Sequence, residues 1–135
     1  MCTPIKPLTL HNTSIIVWIL SKFMSQYNFI LLRERQKKDR FQKARIVTEK
    51  LVSIIAEKYG VKKIVLIGSC LDEKHFHSHS DIDLSVEGLA DSDYLRALAD
   101  LMAESEEFAV DLIPMEGATD RMLKYYREGK IVYER

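Results

Sequence analysis

Two carboxylates two residues apart, Asp81 and Asp83, follow a Gly68-Ser69 pair across eleven intervening residues. The run Lys63-Ile64-Val65-Leu66-Ile67 reads as a strand entering the Gly-Ser turn, and Ser80 to Val86 reads as a second strand. Side chains two apart on a strand share a face, so Asp81 and Asp83 are expected side by side, with Ile82, Leu84 and Val86 turned to the core. Neighbouring carboxylates repel unless a cation lies between them, and hard oxygen donors suit magnesium. Asp111, alone among the aliphatic residues of Phe108 to Pro114, is costly there unless paired or ligating. If its strand lies beside the first carboxylate strand, three acids converge. Such a patch can hold two metal ions roughly 3.5–4 Å apart for in-line phosphoryl or nucleotidyl transfer. Gly68 lets the backbone approach a phosphate closely. Ser69 adds a hydroxyl and an N–H at the start of a short helix, where anions bind. One loop is thus suited to a triphosphate tail and the next strand to its metals.

The elements that must position these groups are legible from periodicity. Ala44, Val47, Leu51, Ile54 and Ile55 recur at helical spacing, and Gly60 ends that helix. Further helices are expected over Asp91 to Glu104, burying Tyr94, Leu95, Leu98, Leu101 and Met102, and over Thr119 to Arg127, burying Met122, Leu123 and Tyr126. A short last strand is expected at Ile131 to Tyr133. Helix, strand, loop, strand, helix, strand, helix, strand predicts an α/β (α+β) fold: a small mixed sheet with flanking helices.

The 135 residues make one domain, with 47% hydrophobic and 30% charged residues. Zero net charge gives no reason to expect direct nucleic-acid binding, and Cys2 and Cys70 cannot form a disulfide framework, which fits a reducing cytoplasm. Residues 1–40 form an N-terminal extension, expected to be helical, with Met24 an alternative start; residues 41–135 form the domain proper. In the extension, Ile15 to Leu20 and Phe29 to Leu32 bracket a polar middle containing Ser21, Lys22, Ser25, Gln26 and Asn28. Neither a membrane span nor a secretory signal matches this pattern, so an amphipathic helix packing on the domain or a partner is expected. The basic run from Arg33 to Lys50 reads as a solvated helix face. His75, His77 and His79 read as loop residues rather than a zinc site, and Cys70 as a small packing residue.

Gly68-Ser69, the spacer, Asp81-Ile82-Asp83, Val110-Asp111-Leu112 and the ending Glu128 to Glu134 together resemble the DNA polymerase β-like nucleotidyltransferases. More narrowly, residues 41–135 resemble the minimal nucleotidyltransferase (MNT) domain, the antitoxin partner of HEPN-type ribonuclease toxins. The resemblance implies the polymerase β-like fold and magnesium-dependent transfer of AMP from ATP to a hydroxyl, a tyrosine of the HEPN toxin. Asp81, Asp83 and Asp111 would be catalytic and hold two Mg2+ ions, and Gly68 and Ser69 would bind the nucleotide. The family continues after Gly-Ser with one residue and then Ala-Arg-Gly; here Cys70-Leu71-Asp72-Glu73 stands in that place, with Lys74, His75 and His77 further along as substitute cations. The alternative is an antitoxin that neutralises by binding, with little or no catalysis. Only 24 residues follow Asp111, too few for a second domain to hold a small substrate, so the acceptor is expected on another chain or a second copy, within a homo- or hetero-oligomer.

Overall fold

A computed structural model describes residues 9–135, with side chains from Thr13 onward. Cys2 lies outside the described residues. The chain divides into two compact units, Met1–Gln36 and Lys37–Arg135, and helix α1 (Thr9–Tyr59) contributes to both. In the first unit the helix is uninterrupted, because the polar middle contains no helix breaker. Its side chains from Thr13 to Arg35 are exposed. Its apolar window has a mean hydropathy of 1.5 and no buried share, so by length and composition alone it could cross a membrane.

The second unit is built on a four-stranded sheet in the order β3 (Val110–Pro114), β2 (Ile82–Glu87), β1 (Lys63–Ile67), β4 (Lys130–Glu134). Strand β1 (Lys63–Ile67) is a run of β-branched and aliphatic residues that favours a pleated, buried position. It pairs antiparallel with β2 (Ile82–Glu87) on one side and β4 (Lys130–Glu134) on the other. Strand β3 (Val110–Pro114) runs parallel to β2, and helix α2 (Tyr94–Glu104) makes the crossover between them. Phe41, Ala44, Val47, Leu51 and Ile55 of α1 join Ile64, Ile82, Leu84 and Val86 in the core. Phe76, from the loop between β1 and β2, meets Phe41 edge to face at 5.3 Å.

The stripe expected for α2 is corrected by the structure. Ala97 and Leu101 are its buried residues, Tyr94 and Leu98 pack at the core margin, and Leu95 and Met102 are exposed. A helix on a small sheet buries a narrow face, and these two lie outside that arc. Met122 is likewise exposed on α3 (Asp120–Glu128), while Leu123 and Tyr126 are half-buried. Thr119 caps α3, its hydroxyl accepting from Met122 N at 3.4 Å. The Tyr126 hydroxyl donates to the Glu87 carboxylate, tying α3 to the end of β2.

Gly129, between α3 and β4, sits hard against β1. A Cβ there would lie 2.5 Å from Val65 Cγ1 and 2.7 Å from Leu66 O. Backbone cannot yield cheaply, so Gly129→Ala is expected to destabilise the fold by about 1–3 kcal/mol, read by urea denaturation. An unchanged midpoint would show that α3 can lift off β1 without cost.

Candidate active site

Parallel pairing of β2 and β3 places Asp83 directly opposite Asp111 in register. Asp81 immediately precedes β2 rather than lying within it; it is exposed, and its carbonyl accepts the Cys70 thiol at 3.1 Å. Across the antiparallel pair, Asp83 stands opposite Ile67, the residue before Gly68. Gly68 opens a single 3-10 turn, Gly68–Leu71, with φ +79, and its missing side chain is what leaves room for the Asp83 carboxylate. A Cβ at this position would collide with Asp83 Oδ2. The Gly-Ser turn and the carboxylate strand are therefore one packed unit.

Electrostatics tie the three acids together. Burial pushes Asp83 up to about 6, and the Asp111 and Asp81 charges add to that rise. Asp81 and Asp111 are exposed, and Asp83 is the half-buried member. Among the described residues no three His, Cys, Asp or Glu side chains are grouped closely enough to hold a metal ion as they stand. The donor set is nonetheless the kind a hard divalent cation takes: all carboxylate oxygen, mutually repelling, on adjacent strands. Closing it on an ion requires side-chain rotation, which exposure leaves open to Asp81 and Asp111.

The loop after the Gly-Ser turn has its own structure. Asp72, where the family is basic, accepts from the His75 backbone N at 3.0 Å and lies 2.8 Å from His75 Nδ1, which holds its carboxyl below the usual range. His77 Nδ1 accepts from His79 N at 3.2 Å, and the buried Ser80 hydroxyl accepts from His77 N at 2.8 Å. The three histidines thus brace a loop. Cys70 is buried, and desolvation, with Asp83 and Asp81 adding to it, pushes its thiol up to about 11, which favours the neutral thiol.

Sequence reasoning did not single out Arg40. It pairs with Glu107 at 2.8 Å, its guanidinium lies 4.6 Å from the Phe108 ring centre, and its charge reaches Cys70. Its position within a basic run, read as a solvated face, gave no signal of this. Ser85, two residues beyond Asp83, has a buried hydroxyl with no hydrogen-bond partner.

The polymerase β nucleotidyltransferase family model matches residues 49–135. No curated protein matches the chain. Among solved structures it is similar to a crystal structure of the toxin–antitoxin MntA-HepT, at 19% identity and TM-score 0.52, covering 67% of this chain and 73% of that one. It is also similar to a Shewanella oneidensis structure of a tri-AMPylated HEPN toxin in complex with MNT antitoxin, at 20% identity and TM-score 0.52, covering 68% and 73%. A third, a toxin–antitoxin with AMP-PNP, is matched at 20% identity and TM-score 0.55, covering 65% and 73%. These likenesses show the fold. The four-stranded mixed sheet, the Gly68 turn packed on Asp83, and a family match over most of the chain agree: this chain belongs to the polymerase β nucleotidyltransferase family.

Proposed function

We propose that the chain is an MNT antitoxin that transfers AMP from ATP to a hydroxyl, a tyrosine, of a partner HEPN toxin in the cytoplasm. The observation that carries this reading is the Asp83–Asp111 register beneath the Gly68 turn, with Asp83 pushed up first by burial and then by its two acidic neighbours. The partner and acceptor are supported by the toxin–antitoxin complexes that share the fold, one with an AMPylated toxin and one with an ATP analogue. Residues 41–135 are the catalytic domain in this reading and residues 1–40 its extension.

Asp81, Asp83 and Asp111 would hold magnesium, two ions when the nucleotide is bound. Bound there, magnesium would neutralise triphosphate charge and make the acceptor hydroxyl more acidic. Gly68 and Ser69 bind the β- and γ-phosphates through backbone N–H groups and the Ser69 hydroxyl. Asp111, exposed at the edge of the patch, takes the acceptor proton. The acceptor oxygen bonds to the α-phosphorus, the bond from that phosphorus to its bridging oxygen breaks, and pyrophosphate leaves.

The second reading is neutralisation by binding alone. It is favoured by Asp72, which occupies the family's basic position and turns to His75 rather than to a phosphate. Intact-mass measurement separates the two. Incubated with the HEPN protein of the adjacent reading frame, ATP and Mg2+, the chain should raise that protein's mass by whole AMP units. Tight complex formation with no mass gain would establish the binding reading instead.

A further inference from the structure

Of the three acids, Asp81 alone lies outside both strand registers. The antiparallel register with β1 reaches Asp83, and the parallel register with β3 starts at Ile82. Its neighbours on either side are fixed. Ile82 N donates to Ala109 O at 2.9 Å, and Ser80 N donates to His77 O at 3.0 Å. The Ser80 hydroxyl accepts in turn from His77 N at 2.8 Å. Asp81 itself is exposed, and its charge works against the other acids, adding to the rise of Asp83. Like-charge repulsion therefore favours an Asp81 swung out into water, away from the place an ion would take.

An anchor against this comes from the Gly-Ser turn. The Cys70 thiol donates to Asp81 O at 3.1 Å, from a buried side chain in the same core as Phe41, Phe76 and Ile82. A thiol meets two demands there, because it packs as a small hydrophobe and still offers a weak S–H donor. Two residues earlier, Gly68 lies against the Asp83 carboxylate. The turn Gly68–Leu71 thus meets the carboxylate segment at two points, Gly68 with Asp83 and Cys70 with Asp81. Ser69 stands between them. The two contacts together set how far the Ser69 hydroxyl lies from the first two carboxylates.

We propose that Cys70 is a positioning residue: its thiol holds the Asp81 backbone so that Asp81 and Asp83 face one divalent cation at a fixed distance from Ser69. This deepens the nucleotidyltransferase reading and rests on it. Cys70 touches neither nucleotide nor ion in this role and acts through Asp81. A single S–H···O bond adds little to the stability of a fold, so its effect belongs in ligand affinity. Groups that orient metal ligands from behind are typically worth about 10–100-fold in metal affinity or activity.

Titration calorimetry of the full chain with Mn2+ and a non-hydrolysable ATP analogue tests it, with thermal melts reporting the fold. Cys70→Ala and Cys70→Val both remove the donor, the first leaving space and the second filling it. Each should weaken Mn2+ binding by about tenfold or more at temperatures where it remains folded. Cys70→Ser keeps a donor and should restore most of the affinity, although its buried hydroxyl lowers the melting midpoint. In transfer assays the Mg2+ needed for half-maximal rate should rise in the same order, with the rate at saturating Mg2+ changing less. A role in packing alone predicts the opposite ranking, with Cys70→Val nearest to wild type and Cys70→Ser further away. That ranking, or unchanged Mn2+ affinity in Cys70→Ala and Cys70→Val, would overturn the proposal and leave the carboxylate site standing. A wild type that takes up no Mn2+ with the nucleotide would overturn both.

Discussion

Asp83→Asn should abolish nucleotidyl transfer and, in metal-free buffer, raise the stability of the fold. The two effects have one cause. Asp83 is pushed up to about 6 from the ordinary aspartate value of 3.8, first by burial and then by Asp111 and Asp81. The folded state therefore prefers the protonated carboxyl. Stability from this group is fully present below pH 3.8, falls as pH rises towards about 6, and stays low above that. Asn, neutral at every pH and close in shape, escapes the loss. A shift of this size on a fully buried group would correspond to about 3 kcal/mol. Asp83 is half-exposed to screening water, so about 1–2 kcal/mol is expected at pH 7.5, vanishing at pH 4. Thermal melts at the two pH values check this. Mg2+ with a non-hydrolysable ATP analogue should raise the wild-type midpoint and leave Asp83→Asn unmoved, since a ligand stabilises only the state that binds it. Loss of transfer should exceed about a thousandfold, as for removal of a group that stabilises transition-state charge.

Gly68→Ala should cost about 3 kcal/mol and most of the activity. Part of that is conformational: at φ +79 any Cβ meets the following carbonyl, worth about 1–2 kcal/mol. The rest is overpacking, of order 1–3 kcal/mol, because the new methyl strikes Asp83 Oδ2. Relief requires either the turn or the carboxylate to move, and both belong to the site. Urea denaturation measures the first effect and transfer assays the second. The double variant Gly68→Ala/Asp83→Ala should recover part of the stability without activity, because removing the carboxylate vacates the clash. Stability of Gly68→Ala equal to wild type would mean that the turn and the strand are not packed as one unit.

Much of this was legible in the sequence, for identifiable reasons. Alternation of Ile82, Leu84 and Val86 around Asp83 gave the strand and its buried face, and all three are core residues. The Gly-Ser turn before a carboxylate strand gave the family, since each residue there answers a separate steric or electrostatic demand. Apolar period alone overstated the buried faces of α2 and α3: Leu95, Met102 and Met122 satisfy the spacing yet lie where no element covers them. Tertiary position, not periodicity, decides that margin. The coupling of Gly68 to Asp83 was not visible either, because it depends on where two distant segments meet. Arg40 was hidden by its neighbours, a cation among cations until the fold set Glu107 and Phe108 against it.

The most direct test of the carboxylate site is anomalous diffraction from crystals grown with Mn2+ and a non-hydrolysable ATP analogue. Manganese peaks are expected between Asp81 and Asp83, with Asp111 turned in to the second ion and the phosphate tail against Gly68 and Ser69. Nucleotide bound elsewhere, or at the Gly68 turn with no metal touching Asp81 or Asp83, would contradict the account.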